Sequence, residues 1–342
     1  MQSVAIFNTR GGSGKSAATV FLADFLSTMF QKRVLVVDLD PQQSSSVALL
    51  GDERLMAGFK AGQSLSKLIE RSLSEELDEA SVREAVMVRP RTSRGRKGTL
   101  YLAEVAVLAC EREDWHDLDD YLRDRPASRR PATVTLLRGL LERVAEDYDI
   151  ALIDFPAHET GPMTQLGLRA ADWWLFPCVP DRAGIRDLEG PGKAIREAYK
   201  DHKRQIRGLG TLLSICQSAS SSEYRQAYQT LIEASERQHI PRLFSNKARL
   251  LIWTGARNAL DDTLWGEQTT LHHKYKDKPL YEAIRALCKE VLERLDLPED
   301  EVRIQFSLLE GFNRRMREFF IRAGGRDRSA QTAAGSLPTA RT

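Results

Sequence analysis

A glycine-rich segment near the start of the chain carries the residue types that bind phosphate. Residues 11–16 read GGSGKS, and glycines let backbone N–H groups approach a phosphate closely where a helix begins. In such a loop Lys15 reaches the β- and γ-phosphates of a nucleotide, and the Ser16 hydroxyl ligates Mg²⁺. The candidate binding residues are Gly11, Gly12, Ser13, Gly14, Lys15, Ser16 and Ala17.

Carboxylates follow two other segments that are typical of buried strands. Residues 34–37 are apolar and lead into Asp38 and Asp40, and the β-rich run 148–153 leads into Asp154. Strand C-termini face the ligand crevice of a doubly wound sheet, so we expect carboxylates in these positions near the phosphates. Asp154 would hold Mg²⁺ directly or through water. The alternative for Asp38 and Asp40 is a helix cap or a turn.

The elements around these residues alternate between strand and helix. Residues 4–7 form an apolar run typical of a buried strand, and residues 17–30 repeat apolar side chains at helical spacing. Further strands are predicted at 173–177, 210–215 and 243–246, and further helices at 133–144 and 279–295. This order predicts an α/β fold in which a doubly wound, mainly parallel sheet is flanked by helices on both faces.

Three motifs together resemble a known family. The strict phosphate-loop pattern fails because Thr9 occupies the position of its first glycine, and residues 10–16 instead resemble the deviant loop K-G-G-x-G-K-[ST] of the ParA/MinD partition ATPases, with Arg10 in place of the first lysine. Residues 38–42 resemble the switch I sequence D-x-D-P-Q of ParA proteins. Residues 148–157 resemble their Walker B segment, with Ala157 in place of a proline. The resemblance covers residues 1 to about 296.

The resemblance implies a Mg²⁺-dependent ATPase with ATP and Mg²⁺ as cofactors. It implies that Asp38 organises Mg²⁺ and the switch loop, and that Asp40 positions the attacking water. It also implies that Arg10 acts on the nucleotide of a partner subunit. Asn246 is a candidate for adenine recognition, and a turn residue is an equal alternative. The predicted catalytic residues are thus Arg10, Lys15 and Asp40, and the predicted metal residues are Ser16, Asp38 and Asp154.

The resemblance also implies partners. It implies an ATP-bound sandwich homodimer, non-specific DNA binding, and a cargo-bound ParB-like or adaptor protein that stimulates hydrolysis. The expected location is cytoplasmic and nucleoid-associated. The alternatives are a MinD-like ATPase that cycles on membranes, a nucleotide-dependent scaffold with weak hydrolysis, and a reductase relative such as a nitrogenase iron protein. We expect no helix-turn-helix domain before the phosphate loop.

The composition of the 342-residue chain limits the classes of protein to which it can belong. A net charge of +2 excludes a polycation, so DNA binding would need local basic patches. The four cysteines form no C-x-x-C pattern, which favours a reducing cytosol over a disulfide or zinc framework. No apolar run reaches the roughly 18–20 residues of a membrane span, and the start has no signal-peptide pattern.

Charged residues cluster in several segments. Residues 89–98 carry five cations and no acid, and are predicted to turn between strands at 86–88 and 99–103. Residues 111–124 are strongly acidic and are predicted as a solvated helix face. Each basic set fits either phosphate contact with DNA or a solvated face. The other basic sets are Lys193, Arg196, Lys200, Lys203, Arg204 and Arg207, and Lys274, Lys276 and Lys278.

The C-terminal part departs from the short members of the resembled family. We predict an ATPase domain over residues 1–298 and an extension over residues 299–342. Within the extension, residues 304–321 predict a basic amphipathic helix, and the polar tail after it is typical of disorder. The helix could dock on the core, meet a partner or dimer mate, or lie on a membrane.

Overall fold

The fold is seen in a computed structural model, which describes residues 1–74, 77–94, 100–124, 135–157, 161–186, 188–200, 205–214, 222–245, 248 and 279–299. Seven strands form one sheet in the order β3-β4-β2-β5-β1-β6-β7. All neighbouring strands are parallel except the antiparallel pair β3 and β4. The strands are β1 (Gln2–Ile6), β2 (Val34–Asp38), β3 (Met87–Arg94), β4 (Leu100–Ala109), β5 (Ile150–Asp154), β6 (Trp173–Cys178) and β7 (Arg207–Leu213).

Helices cover both faces of the sheet, which confirms the predicted doubly wound α/β fold. One face packs on α1 (Lys15–Phe30), α2 (Ser44–Leu50), α3 (Asp52–Lys60) and α12 (Pro279–Arg294). The other face packs on α4 (Leu65–Ser72), α5 (Glu79–Ala85), α6 (Arg112–Arg123), α7 (Leu136–Arg143), α8 (Pro162–Ala170), α10 (Glu189–Tyr199) and α11 (Ser222–Glu236). A short helix, α9 (Arg182–Arg186), follows β6. Within the described ranges, no helix has both the length and the apolar character needed to cross a membrane.

The central strands are buried on both sides, as the apolar runs predicted. In β1, Val4 and Ile6 join one hydrophobic cluster while Ala5 joins the other, because successive side chains of a strand point to opposite faces. The register places Asp38 directly opposite Asp154 on the neighbouring strand. The two carboxylates therefore reach the same edge of the sheet side by side.

Several boundaries differ from the sequence prediction. The basic segment 89–98 is not loop throughout, because β3 continues to Arg94 through antiparallel pairing with β4. The predicted strand at 243–246 is reduced to a single bridge between Leu243 and Thr211. Arg207 does not continue the basic face of a helix, since it begins β7 and its guanidinium lies 3.7 Å from the centre of the Trp173 ring. Lys203, Arg204, the lysines at 274–278 and the predicted helix 304–321 lie outside the described residues.

Helix α8 approaches the sheet edge so closely that one position admits only glycine. A Cβ atom on Gly167 would overlap Cδ1 of Leu39 and would lie 2.6 Å from Cε1 of Phe155. Leu39 and Phe155 follow β2 and β5 directly. The packing of α8 therefore fixes the two chain segments that leave these strands.

We expect Gly167→Ala to lower the free energy of unfolding by about 1–3 kcal/mol, because overpacking displaces buried side chains. Chemical denaturation measures the change. Gly139→Ala is the matched control in α7, where the nearest atom to an added Cβ is Arg143 Nη1 at 3.6 Å. That substitution should instead stabilise the protein by about 0.5–1 kcal/mol, the difference in helix propensity. Equal effects of the two substitutions would contradict the close packing of α8.

Candidate functional site

The glycine-rich loop joins β1 to α1 at the C-terminal edge of the sheet. Gly12 and Gly14 adopt φ angles of +69° and +88°, which lie in the left-handed region that favours glycine. Gly14 is the N-cap of α1, so the helix begins at Lys15, two residues before the predicted start. The loop thus ends on a helix N-terminus, the arrangement that favours an anion.

Neighbouring strands hold this loop in place. The Asn8 side-chain amide donates to the Pro177 carbonyl at 2.7 Å, and its oxygen accepts from the Arg10 backbone N–H at 2.9 Å. On the other side, the Ser214 hydroxyl donates to the Ser13 carbonyl at 2.5 Å. The ends of β6 and β7 therefore set the shape of the loop.

Lys15 is buried at the start of α1 beneath the loop. Its Nζ donates to the Arg10 carbonyl at 3.1 Å. Burial lowers the pKa of Lys15, and the nearby carboxylates of Asp154 and Asp40 oppose this shift. The ammonium group is thus held between the phosphate loop and the carboxylates that follow β2 and β5.

Asp154 has the chemistry of a cation ligand. Its Oδ1 accepts from the Phe155 backbone N–H at 3.1 Å, whereas its fully buried Oδ2 has no hydrogen-bond partner. Burial raises the pKa of Asp154 to about 8 and the charges of Asp38 and Asp40 add to the rise, whereas a hydrogen bond with the Ser16 side chain and the charge of Lys15 oppose it. A buried carboxylate oxygen without a partner is costly, and a divalent cation would offset that cost. The residues present therefore fit Mg²⁺, which proteins bind through one or two carboxylates together with substrate phosphates.

Asp38 organises the loop that follows β2. Its Oδ2 accepts from the backbone N–H and the hydroxyl of Ser46 at 2.9 and 2.6 Å, and its Oδ1 accepts from the Asp40 N–H at 3.0 Å. Burial raises the pKa of Asp38, and these hydrogen bonds oppose the shift. These hydrogen bonds tie the loop after β2 to Asp38, and the expected role of Asp38 in organising Mg²⁺ and the switch loop stays a prediction.

Asp40 points its carboxylate into the same site. Its Oδ1 accepts from the Gln42 N–H at 2.8 Å. Partial burial raises the pKa of Asp40, while the hydrogen bond from the Gln42 N–H and the positive charge of Lys15 partly offset this rise. Asp40 is half-buried, whereas Asp38 and Asp154 are buried, and its role in positioning water stays a prediction.

Arg10 is engaged within its own subunit. Its Nη1 and Nη2 contact the two carboxylate oxygens of Asp181 at 2.7 and 3.2 Å. Asp181 Oδ1 also accepts from the Gly184 N–H at 2.6 Å, and these contacts lower the pKa of Asp181 against the effect of its burial. The segment after β6 thus forms a cradle for Arg10, and the sequence motifs gave no signal for it.

Most of the predicted site residues gather at one edge of the sheet. Arg10, the loop residues 11–17, Asp38, Asp40 and Asp154 come together there, and Asn246 lies outside the described residues. The prediction missed Asp181, Ser214 and the inner face of α6. The acidic segment 111–124 does form a helix, but Trp115, Leu118 and Leu122 are buried. Their spacing at i, i+3 and i+7 was the available signal.

Comparisons with known proteins identify what this chain is similar to. Residues 1–207 match the family described as an AAA domain. The virulence plasmid ParA family protein pGP5-D of Chlamydia psittaci is 23% identical over 297 residues, which are 86% of this chain and 96% of that protein. The chromosome-partitioning ATPase Soj of Thermus thermophilus is 24% identical over 215 residues, which are 63% of this chain and 70% of that protein.

A solved structure shows the same fold. The structure of pNOB8 ParA bound to nonspecific DNA superposes with a TM-score of 0.60 at 18% identity, and the match covers 86% of this chain and 98% of that one. Fold and loop together define a P-loop NTPase. The chain belongs to the AAA domain family and resembles the ParA-like partition ATPases.

We expect Asp154→Asn to raise the free energy of unfolding of the ligand-free protein at neutral pH. Because burial, Asp38 and Asp40 raise the pKa of Asp154 to about 8, folding at neutral pH requires this carboxyl to take up a proton or to keep a disfavoured charge, and an amide avoids that cost. A gain of about 1–2 kcal/mol is the usual size of such stabilising changes. Thermal denaturation without nucleotide or metal measures it, and addition of ATP and Mg²⁺ should stabilise the wild type but not the variant.

Asp149→Asn is the matched control for this substitution. Asp149 precedes the same strand, but its carboxylate accepts from the Arg33 backbone N–H and Nη2 at 2.8 and 2.7 Å. These contacts lower the pKa of Asp149 against the effect of its burial. Asp149→Asn should therefore destabilise the protein by about 1–2 kcal/mol. A loss of stability in both variants would contradict the assignment of Asp154 as an uncompensated buried charge.

Proposed function

We propose that the protein hydrolyses ATP with Mg²⁺, forms an ATP-bound sandwich dimer, binds DNA without sequence preference, and thereby positions a plasmid, chromosome or other cargo. The observation that carries the proposal is the partnerless Oδ2 of Asp154 beside Lys15 at the edge that also holds the glycine-rich loop. A cation site and a phosphate cradle at one place are what a metal–nucleotide complex requires.

The residues divide the work in the following way. Backbone N–H groups of residues 11–16 and the Lys15 ammonium would bind the phosphates. Ser16 and Asp154 would hold Mg²⁺, which supplies positive charge against the phosphate oxygens, and Asp38 would keep the Asp40 loop in place. Asp40 would orient a water molecule in line with the γ-phosphate, because orientation matters more than basicity in phosphoryl transfer.

Arg10 would act at the nucleotide of the partner subunit. An arginine guanidinium can hold two phosphate oxygens at once, and an arginine supplied in trans contributes on the order of 10³–10⁵-fold to turnover in other NTPases. In the monomer Asp181 holds both Nη atoms of Arg10. We infer that dimerisation exchanges this carboxylate for phosphate oxygens of comparable geometry.

The DNA-binding surface would include the basic face of α10. Lys193, Arg196 and Lys200 are exposed and recur at i, i+3 and i+7, so they share one side of the helix. The same helix begins beside the nucleotide loop, since a Cβ on Gly190 would lie 3.0 Å from the Thr9 hydroxyl. Because of this proximity, a change of the bound nucleotide would be able to shift α10 and thereby alter the exposure of its basic face to DNA. The ParA relative with bound nonspecific DNA supports the proposal.

The remaining parts of the proposal follow from the family. A cargo-bound ParB-like or adaptor protein would stimulate hydrolysis, and DNA binding would place the protein on the nucleoid in the cytoplasm. We retain residues 1–298 as the ATPase domain and residues 299–342 as an extension. A MinD-like membrane cycle is the alternative, and ATP-dependent pelleting with liposomes but not with DNA would favour it.

We expect binding to a random-sequence DNA duplex to require ATP and to fall steeply between low and physiological salt, because lysine and arginine contacts release counterions from phosphate. Lys193→Glu with Lys200→Glu should weaken binding on all sequences alike. The matched control is Lys60→Glu with Arg71→Glu, which makes the same change in charge at exposed positions of α3 and α4. Equal losses in both double variants, or binding without ATP, would reject the α10 surface.

Mixing two inactive variants tests the role of Arg10 in trans. Arg10→Ala should lose ATP-dependent dimerisation and most hydrolysis, and Lys15→Ala should lose nucleotide binding. In their heterodimer, the Arg10→Ala subunit keeps an intact phosphate loop, and the Lys15→Ala subunit supplies Arg10 to the nucleotide bound there. One of the two sites is then complete, so turnover should recover toward half the wild-type rate per dimer. Absence of recovery in demonstrated mixed dimers would reject the trans role and leave Arg10 as a residue that acts in cis or only shapes the loop. If Arg10→Ala alone hydrolyses ATP at the wild-type rate, Arg10 is not required for hydrolysis.

A further inference from the structure

We propose that helix α6 couples the loop that carries Asp40 to the first turn of α8, with Trp115 and Asp119 as the positioning residues. This inference rests on the proposed ATPase function, because Asp40 lies in the first of these segments and Asp154 precedes the second along the chain. The helix contains no residue of the phosphate loop or of the carboxylate set. Its role follows from two contacts, one to each segment, made from the same side of the helix.

The first contact is made by Trp115. Its ring is buried, and its Nε1–H donates to the Leu39 carbonyl at 2.8 Å. Leu39 stands between Asp38 and Asp40, and its own N–H donates to the Asp154 carbonyl at 3.0 Å. Trp115 thus holds the peptide that joins the buried carboxylate Asp38 to the water-orienting Asp40. Loss of this hydrogen bond would leave the Leu39–Asp40 peptide held at its Asp40 N–H, which donates to Asp38 Oδ1 at 3.0 Å, but no longer at its carbonyl, and the Asp40 side chain would be positioned less firmly.

The second contact is made by Asp119, one turn further along α6. Its buried Oδ1 accepts from the Met163 backbone N–H at 3.0 Å, and its Oδ2 accepts from Arg123 at 2.5 Å. Met163 is the second residue of α8, so Asp119 caps that helix from a different element, and α8 has no side-chain cap of its own. A Cβ on Gly161 would lie 2.9 Å from Asp119 Oδ2, so the fit is close.

The two contacts belong to one rigid unit. Trp115 and Asp119 are four residues apart, so they lie above each other on the same face of α6. Leu39 also packs against α8, because a Cβ on Gly167 would overlap it. Movement of either segment therefore displaces α6 or breaks a buried hydrogen bond. Small shifts in packed cores are transmitted because such cores are not continuously deformable.

Replacement of Trp115 by Phe tests the first contact. The substitution removes the N–H donor and retains an aromatic ring. We expect kcat for ATP to fall about threefold to tenfold, the factor that corresponds to one hydrogen bond to a buried carbonyl. The dissociation constant for ATP should stay within about twofold, because no phosphate-loop residue changes.

Trp173→Phe is the matched control. It also removes an indole hydrogen bond, from Nε1 to Gln2 Oε1 at 3.0 Å, but at the opposite end of the sheet. If both variants lose similar thermal stability and Trp115→Phe alone loses kcat, the positioning role is supported. An unchanged kcat in Trp115→Phe, or an equal fall in both variants, would overturn it.

Two substitutions of Asp119 test the second contact. Asp119→Asn keeps an oxygen that can accept from the Met163 N–H but removes the charge opposite Arg123. Asp119→Ala removes both the accepting oxygen and the charge. A capping role predicts near-normal kcat in Asp119→Asn and a fall of about threefold to tenfold in Asp119→Ala. Equal losses in both would assign the effect to the ion pair with Arg123 and overturn the capping role.

Hydrogen–deuterium exchange tests the coupling itself without hydrolysis. In Asp119→Ala, coupling predicts faster exchange in residues 161–165 and also in residues 38–46, although the two Asp119 hydrogen bonds described above go to Met163 and Arg123. Unchanged exchange in residues 38–46 would overturn the coupling. A wild-type protein that binds but does not hydrolyse ATP would reject the proposed function, and the exchange result would still decide the role of α6.

Discussion

The architecture of the site depends on two buried carboxylates held side by side at the ends of parallel strands. The register pairs Asp38 with Asp154, and burial raises the pKa of each. Two like charges in a region of low dielectric repel each other and lose hydration. The structure resolves this differently for the two groups. Asp38 is satisfied by Ser46 and the Asp40 N–H, whereas the Oδ2 of Asp154 keeps no hydrogen-bond partner.

The rest of the site can be understood from that asymmetry. A carboxylate that is fully hydrogen-bonded fixes a loop, and a carboxylate with one partnerless oxygen is ready for a cation. Lys15 supplies nearby positive charge without closing the site, because its Nζ donates to the Arg10 carbonyl. Under the proposed function, stability and cation binding would be opposed at Asp154, as is common at sites where binding needs a group that folding disfavours. The helices that cover the sheet supply the packing that tolerates this cost.

Much of this arrangement follows from local sequence. The glycines at 12 and 14, the helix after them, and the strand-end carboxylates all have short-range signals, and each was located correctly. The long amphipathic helix α12 was located in the same way. For the acidic segment 111–124, the helix was predicted correctly but its buried face was not. The apolar face formed by Trp115, Leu118 and Leu122 was overlooked because most of the segment is charged. The sequence of the basic segment 89–98 predicts a turn, whereas β3 continues to Arg94. Strand pairing with β4 has no local sequence signature that would have indicated this.

The sequence by itself determined the alternation of strands and helices, the phosphate loop, and the presence of carboxylates at strand ends, since these depend on periodicity and on backbone conformations that few residues adopt. Only the tertiary structure decided that β5 lies between β1 and β2, which sets Asp154 opposite Asp38. It also decided that Asp181 holds Arg10 and that Trp115 holds Leu39. These pairs are separated by 171 and 76 residues. Contacts over such distances are set by strand order and helix packing, on which no local pattern reports.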